Sequence, residues 1–265
     1  MSVLEGLKPE RVFHYFERIC EIPHGSRNTK QISDYLVDFA KIHSLSYVQD
    51  ESNNVIIRKE ASAGYENAVG VILQGHCDMV CEKKAGSDHD FEKDPLKLGV
   101  DGDFIFAEDT TLGGDNGIAV AYMLAILEDD TLAHPSLECV ITTDEEIGLL
   151  GATALDASLL KGRRMINLDS ESEESIWVSC AGGMTSNCEI PITRAQGTGI
   201  RFEVVIDGLT GGHSGAEIDK NRANSNIVLG RFLYGMGQRI DYALIDAEGG
   251  LKDNAITRLS RASIV

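Results

Sequence analysis

The sequence predicts an α/β protein: a sheet flanked by helices over residues 1–184, then the start of a small α+β module over 185–265. Three observations carry this. Short continuous apolar runs at 70–74, 137–142 and 164–168 read as strands buried on both faces. Segments with helical spacing alternate with them, as in a sheet with helices on both faces. Beyond about residue 185 the pattern changes to alternating, strand-like stretches around one further helix.

Pro9 opens the first helix at a position that tolerates its missing N–H. Val12, Phe13, Phe16, Ile19 and Cys20 recur on one face, and Ile22-Pro23 stops the helix. A second helix is predicted over Thr29–Ile42, with Ile32, Tyr35, Leu36 and Phe39 inward. Asn54–Arg58 reads as a strand, and so does Gly70–Gln74. Ile118–Leu127 is a helix beginning just after Gly117. Leu137–Thr142 is a buried strand, Thr153–Leu160 a helix, and Arg164–Leu168 a third buried strand. In the second module, Thr185–Ile192 and Gly199–Leu209 are strand-like. Gly211–Gly215 interrupts the pattern, Asn224–Gly235 is a helix, and Asn254–Val265 reads as a strand entered but not left.

The chain has 265 residues, 43% of them hydrophobic, enough for one large or two ordinary domains. Its formal charge of −18 opposes nucleic-acid phosphates and favours cations. No apolar run nears the roughly 18 residues of a membrane span, and residues 1–8 lack signal-peptide features. Six cysteines without a CxxC pair suit a reducing compartment. The expectation is a soluble, cytoplasmic protein with neither nucleic-acid nor membrane partners.

Four motifs end apolar runs with metal-type ligands: Gly75-His76-Cys77-Asp78, Gly113-Gly114-Asp115-Asn116-Gly117, Thr143-Asp144-Glu145-Glu146 and Asn167-Leu168-Asp169-Ser170-Glu171. His76 and Asp78 share one face of a strand end, so Asp78 can bond one ring nitrogen and aim the other at a metal. The same pair also reads as a satisfied polar strand end. Asp115 is either a ligand in a Gly-rich turn or a helix N-cap. Of Glu145 and Glu146, one can bind metal while its neighbour serves as general base; the alternative is a solvated acidic loop. Asp169 ends its strand in the same way, while Glu171, Glu173 and Glu174 read mostly as solvated. His213 is either an exposed hairpin residue or a group that polarises a substrate carbonyl. Each motif alone is weak. Several at successive strand ends of one parallel sheet are stronger, because that edge is where such folds build sites.

Further stretches add to these motifs: Ile22-Pro23-His24, Leu73–Val80, His89-Asp90-Phe91 with Asp94-Pro95, and Thr110–Gly117. Cys180-Ala181-Gly182-Gly183, Gly211–Gly215 and Asn254-Ala255-Ile256 follow. Over essentially its whole length the chain resembles the co-catalytic zinc peptidases of the aminoacylase and glutamate-carboxypeptidase type. More narrowly it is similar to the aminoacylhistidine (Xaa-His) dipeptidases. The resemblance implies the zinc-peptidase mixed sheet, described as phosphorylase/hydrolase-like, with a lid that also serves dimerisation.

It further implies hydrolysis of dipeptides, with carnosine-like Xaa-His substrates favoured, by a water bridging two zinc ions; manganese and cobalt suit similar sites. His76, Asp115 and Asp169 would hold one ion, and Asp115 would bridge to a second held by Glu146. Asp78 would orient His76, and Glu145 would shuttle the proton. His213 would stabilise the oxyanion, and Asn254 would touch substrate. The sequence departs from the family pattern at Gly114, where relatives carry Ala, and at Thr257, where they carry Pro. No histidine follows His213 to supply the last ligand of the second zinc. The resemblance therefore implies that the chain matches the N-terminal part of a longer enzyme. Two alternatives stand beside the dipeptidase: an N-acyl-amino-acid deacylase of the same family, and an inactive truncated half-protein.

Overall fold

The computed structural model describes residues 2–170, 174–180, 182, 184, 186–215, 217–252 and 254–265. Glu171, Glu173, Ala181, Gly183 and Thr185, named above for their motifs or pattern, lie outside the described residues. The chain forms two compact units, Met1–Ala181 and Gly182–Val265.

In the first unit the order is α1 (Glu10–Cys20), α2 (Lys30–Ile42), β1 (Ser46–Gln49), β2 (Val55–Lys59), β3 (Val71–His76), β4 (Leu98–Asp101), β5 (Phe104–Ala107), α3 (Gly114–Glu128), β6 (Leu137–Thr142), α4 (Leu150–Ala154) and β7 (Arg164–Asn167). The main sheet runs β1-β2-β6-β3-β7. β6, β3 and β7 are mutually parallel, whereas β1–β2 and β2–β6 are antiparallel. The sheet is therefore mixed, and the parallel sheet expected from the apolar runs is confined to three strands. β4 and β5 form a separate hairpin.

Side-chain alternation along the strands separates two cores. Val55, Ile57, Leu73, Cys139 and Ile141 join residues of α1, α2 and α3 in the larger core. On the opposite face Ile56, Ile72 and Val140 are covered by Val48, Leu155, Leu159 and Leu160. The helical cover is thus unequal: three long helices on one side, a short segment on the other. That segment corrects the helix expected over Thr153–Leu160. It is α4 followed by a single 3₁₀ turn at Ala157–Leu159, because residues 155–160 drape three leucines over the sheet instead of continuing the helix.

β7 is also corrected. It is an edge strand bonded to β3, and Met165 and Ile166 are 61% and 51% exposed. An apolar run specifies what a strand would bury, but not whether anything packs on it.

In the second unit the order is β8 (Phe202–Ile206), β9 (Gly212–His213), α5 (Ser225–Gly237), β10 (Leu244–Gly249), β11 (Ala255–Ile256) and β12 (Ser260–Ile264). Residues 186–192 form no strand, contrary to expectation. The stretch expected as one unfinished strand over Asn254–Val265 is two. β11 pairs with β9, and β12 is the central strand of a β10-β12-β8 sheet, bonded on both sides. Asn224 caps α5 by accepting from the amides of Asn226 and Ile227. Among the described residues no helix is long and apolar enough to cross a membrane.

Candidate metal centre

Parallel strands carry their C-terminal ends to one edge. β3 ends at His76, β6 runs into Thr143–Glu146, and β7 runs into Leu168-Asp169. The ladder continues one step past the strands, with Cys77 N–H donating to Thr142 O at 2.9 Å and Leu168 N–H to Gln74 O at 2.8 Å. Asp115 arrives from the start of α3, after Gly113 at φ 68°. The Asp115–Asn116 peptide is cis, and regular helix begins at Gly117.

Gly75 lets α3 lie against β3. A Cβ there would stand 2.3 Å from Oδ1 of Asn116 and 3.1 Å from the Ala119 Cβ. Asn116 uses that closeness. It accepts the His76 N–H at 3.3 Å and donates to Leu168 O at 3.0 Å and to Asp169 Oδ1 at 2.8 Å.

His76 is 1% exposed. Its Nδ1–H donates to Asp78, with the carbonyl at 2.9 Å and Oδ1 at 3.2 Å. This fixes the ring so that Nε2 faces the acidic side chains. Nε2 lies 3.2 Å from Asp115 Oδ1, 3.5 Å from Asp169 Oδ1 and 3.8 Å from Glu145 Oε2. Donor atoms of His76, Asp115 and Glu146 lie within 4.8 Å of one another. The structure thus brings six candidates together: His76, Asp78, Asp115, Glu145, Glu146 and Asp169.

The electrostatics follow from this crowding. Burial works against the His76 imidazolium, but hydrogen bonds to Asp169 and Asp78, and their charges, raise its pKa to about 11. Burial, and then the Asp115 charge, push Glu146 up to about 7. Burial also raises Asp115 and Glu145, and the Asp169 charge adds to both. Asp169 is lowered, first by its bond to His76. Asp78 is lowered as well: burial opposes its charge, but donors from His76, Glu145 and Ser26 outweigh that. The donor set, one imidazole nitrogen with several carboxylate oxygens, fits a divalent cation of the zinc, manganese or cobalt kind.

His213 and Asn254 lie in the second unit, and there they are neighbours. His213 pairs with Ala255 across the β9–β11 ladder, and Ser214 N–H donates to Asn254 O at 2.9 Å. The Gly215 N–H donates to His213 Nδ1 at 3.0 Å. Sequence reasoning missed two contributors to the first unit's centre. Asn116 was visible as a member of the Gly-rich motif, without a role. Ser26, whose hydroxyl donates to Asp78 Oδ2 at 2.8 Å, carried no signal.

Fold and ligand cluster together define an α/β unit with a candidate divalent-cation site at the C-terminal edge of its parallel strands. No family model matches the chain. It is 42% identical over 266 residues to the cytosol non-specific dipeptidase of Escherichia coli (strain K12), covering 100% of this chain and 55% of that protein. Its structure superposes on the aminoacylhistidine dipeptidase of Vibrio alginolyticus with a TM-score of 0.74 and 38% identity, covering 98% of this chain and 54% of that one. A tripeptidase from Staphylococcus aureus shares the fold, at 17% identity, a TM-score of 0.55 and 96% and 65% coverage of the two chains. In sequence the chain is similar to both of these dipeptidases over nearly its whole length. It spans about half the length of the relatives it matches.

Proposed function

We propose that the first unit is the metal-binding part of a dipeptidase that hydrolyses dipeptides, Xaa-His dipeptides among them, and that the second unit is its lid. The convergence of His76, Asp115, Glu146 and Asp169 at one edge of three parallel strands carries this reading. His76, Asp115 and Asp169 would hold one ion, with Asp115 and Glu146 contributing to a second. Zinc is favoured by the mixed imidazole and carboxylate donors. Held there, the cations supply Lewis-acid polarisation and a water acidic enough to ionise near neutral pH.

The chain's own residues do the rest. Asp78 fixes the His76 ring. Glu145, partly buried and raised in pKa, takes a proton from the attacking water and returns it to the leaving amine. His213, whose ring accepts the Gly215 N–H at Nδ1, is the candidate for polarising the substrate carbonyl. Asn254, beside it, is the candidate substrate contact. The two dipeptidases the chain is similar to support dipeptides as the substrate class, and the cytosolic one supports a cytoplasmic setting. A homodimer through the second unit belongs to the same proposal, and the exposed Ile227, Phe232 and Tyr234 of α5 support it.

The test is hydrolysis of Ala-His, β-Ala-His and Gly-Leu against N-acetylhistidine by a complete form of the enzyme, with divalent-cation binding measured on the 265-residue chain. Cleavage of the free dipeptides that stops on chelation and returns with zinc is the expected result. A chain that binds no divalent cation, or a complete form that cleaves only the N-acyl compound, refutes the reading.

A further inference from the structure

Asp78 is 1% exposed, and both of its carboxylate oxygens are engaged. Oδ1 accepts from His76 Nδ1–H at 3.2 Å and from the Glu145 N–H at 3.0 Å. Oδ2 accepts from the Ser26 hydroxyl at 2.8 Å and from the Glu146 N–H at 3.4 Å. One buried side chain therefore fixes the imidazole ligand and also pins the backbone of the loop that carries Glu145 and Glu146. On Oδ2 the short bond is the one from Ser26, and the Glu146 amide bond is long.

Ser26 is itself held against this edge. It lies in the loop between α1 and α2, where Ser26 N–H donates to Met79 O at 3.3 Å and Met79 N–H donates to His24 O at 3.2 Å. Gly25 and Met79 form a parallel bridge. The next residue, Arg27, donates its N–H to Asp144 Oδ1 at 2.6 Å. The 24–27 loop thus grips both strand-end segments, 78–79 after β3 and 144–146 after β6. None of its residues is in the candidate ligand group of His76, Asp115 and Glu146.

We propose that Ser26 is a positioning residue of the metal centre, whose hydroxyl locks the Asp78 carboxylate in the one rotation that serves His76 and the Glu145-Glu146 loop together. The inference rests on the metal-centre reading. Without the hydroxyl, Oδ2 keeps only the long Glu146 amide bond. The carboxylate is then free to turn, and the Glu146 ligand loosens together with the imidazole. Partners of this outer kind typically change metal affinity by about 10–100-fold when removed.

The experiment measures zinc affinity of the full chain by competition with a chromophoric chelator, for the parent, Ser26→Ala and Ser26→Thr. Melting curves in excess chelator accompany it. Ser26→Ala should bind zinc about tenfold more weakly, and Ser26→Thr, which keeps the hydroxyl, should stay within about threefold of the parent. The zinc-free Ser26→Ala chain should melt cooperatively about 5 °C below the parent, and Ser26→Thr within about 2 °C of it. Unchanged affinity in Ser26→Ala overturns the proposal, and so does an equal loss in both variants. A Ser26→Ala chain that no longer folds overturns it as well, since the hydroxyl would then hold the fold and not the site. A parent chain that binds no zinc sinks the metal-centre reading itself, which separates that failure from failure of the Ser26 role.

Discussion

Replacing Gly75 by alanine should damage both the fold and the site through a single methyl group. Gly75 has no positive φ, so the backbone tolerates alanine and the effect is purely steric. The new Cβ would stand 2.3 Å from Asn116 Oδ1, 3.1 Å from the Ala119 Cβ and 3.4 Å from the Met123 Cε. The first distance is about 1 Å inside ordinary contact, so either α3 lifts from β3 or the Asn116 side chain turns away. Crowding of this kind costs about 2 kcal/mol. Turning Asn116 strains three bonds, to the His76 amide, Leu168 O and Asp169, for about 2 kcal/mol more.

The sum, about 4 kcal/mol, corresponds to a fall in melting temperature of about 10 °C for a unit of this size. Because two of the strained bonds end on Asp169 and on the His76 backbone, zinc affinity should fall by about tenfold too. Circular-dichroism melts in chelator, followed by zinc competition, read both quantities. Gly230→Ala in α5 is the control. A Cβ there meets nothing within 4 Å, and the change should be neutral or stabilise by about 0.5–1 kcal/mol. A Gly75→Ala chain that melts within about 2 °C of the parent and holds zinc as tightly would refute the packing argument.

Three further outcomes are expected. His76→Ala removes the imidazole that all the acidic groups face and should weaken zinc by at least about 100-fold, seen by the same competition assay; equal affinity would remove His76 from the ligand set. Glu138, 8% exposed at its side chain, accepts from Arg58 Nε at 3.1 Å and from the Lys161 and Gly162 amides at 2.9 and 2.6 Å, so Glu138→Ala should cost about 3 kcal/mol in denaturant titrations. Burial opposes the Glu138 charge, but these donors hold its pKa below the usual 4.5. Its stabilisation is therefore complete above about 4.5 and is lost as pH falls through the folded-state value, and the parent and the alanine variant should converge in acid; a constant gap down to pH 2 would contradict this. In the second unit Glu217 accepts the His213 N–H at 3.0 Å and a two-pronged contact from Arg222 at 2.8 and 2.9 Å. Glu217→Ala should speed hydrogen exchange at the His213 amide, and an unchanged rate would show that the β9–β11 pairing alone protects it.

Local patterning made much of the first unit legible. The apolar faces of α1 and α2 and the runs of β3 and β6 state what each segment must bury, and a strand end followed by His or Glu states which edge receives the polar groups. By itself the sequence therefore determined the strands and helices that carry the site, and the candidates His76, Asp78, Asp115, Glu145, Glu146 and Asp169. The same patterning misled where burial depends on a neighbour. Met165 and Ile166 are as apolar as core residues, yet they sit on an exposed edge strand. β1, β4, β5 and β10, short or half-exposed, lack a strong period and went unread.

Only the tertiary structure decided which atoms meet. Ser26 and Asp78 are 52 residues apart, Asn116 and Asp169 are 53 apart, and Arg27 and Asp144 are 117 apart. Hydrogen bonds of that span are set by strand order, by the register of β3 between β6 and β7, and by the close approach that Gly75 permits. A pattern of hydrophobicity along the chain specifies which side of each element faces inward. It contains no term for which polar side chain will stand opposite another once the elements are stacked.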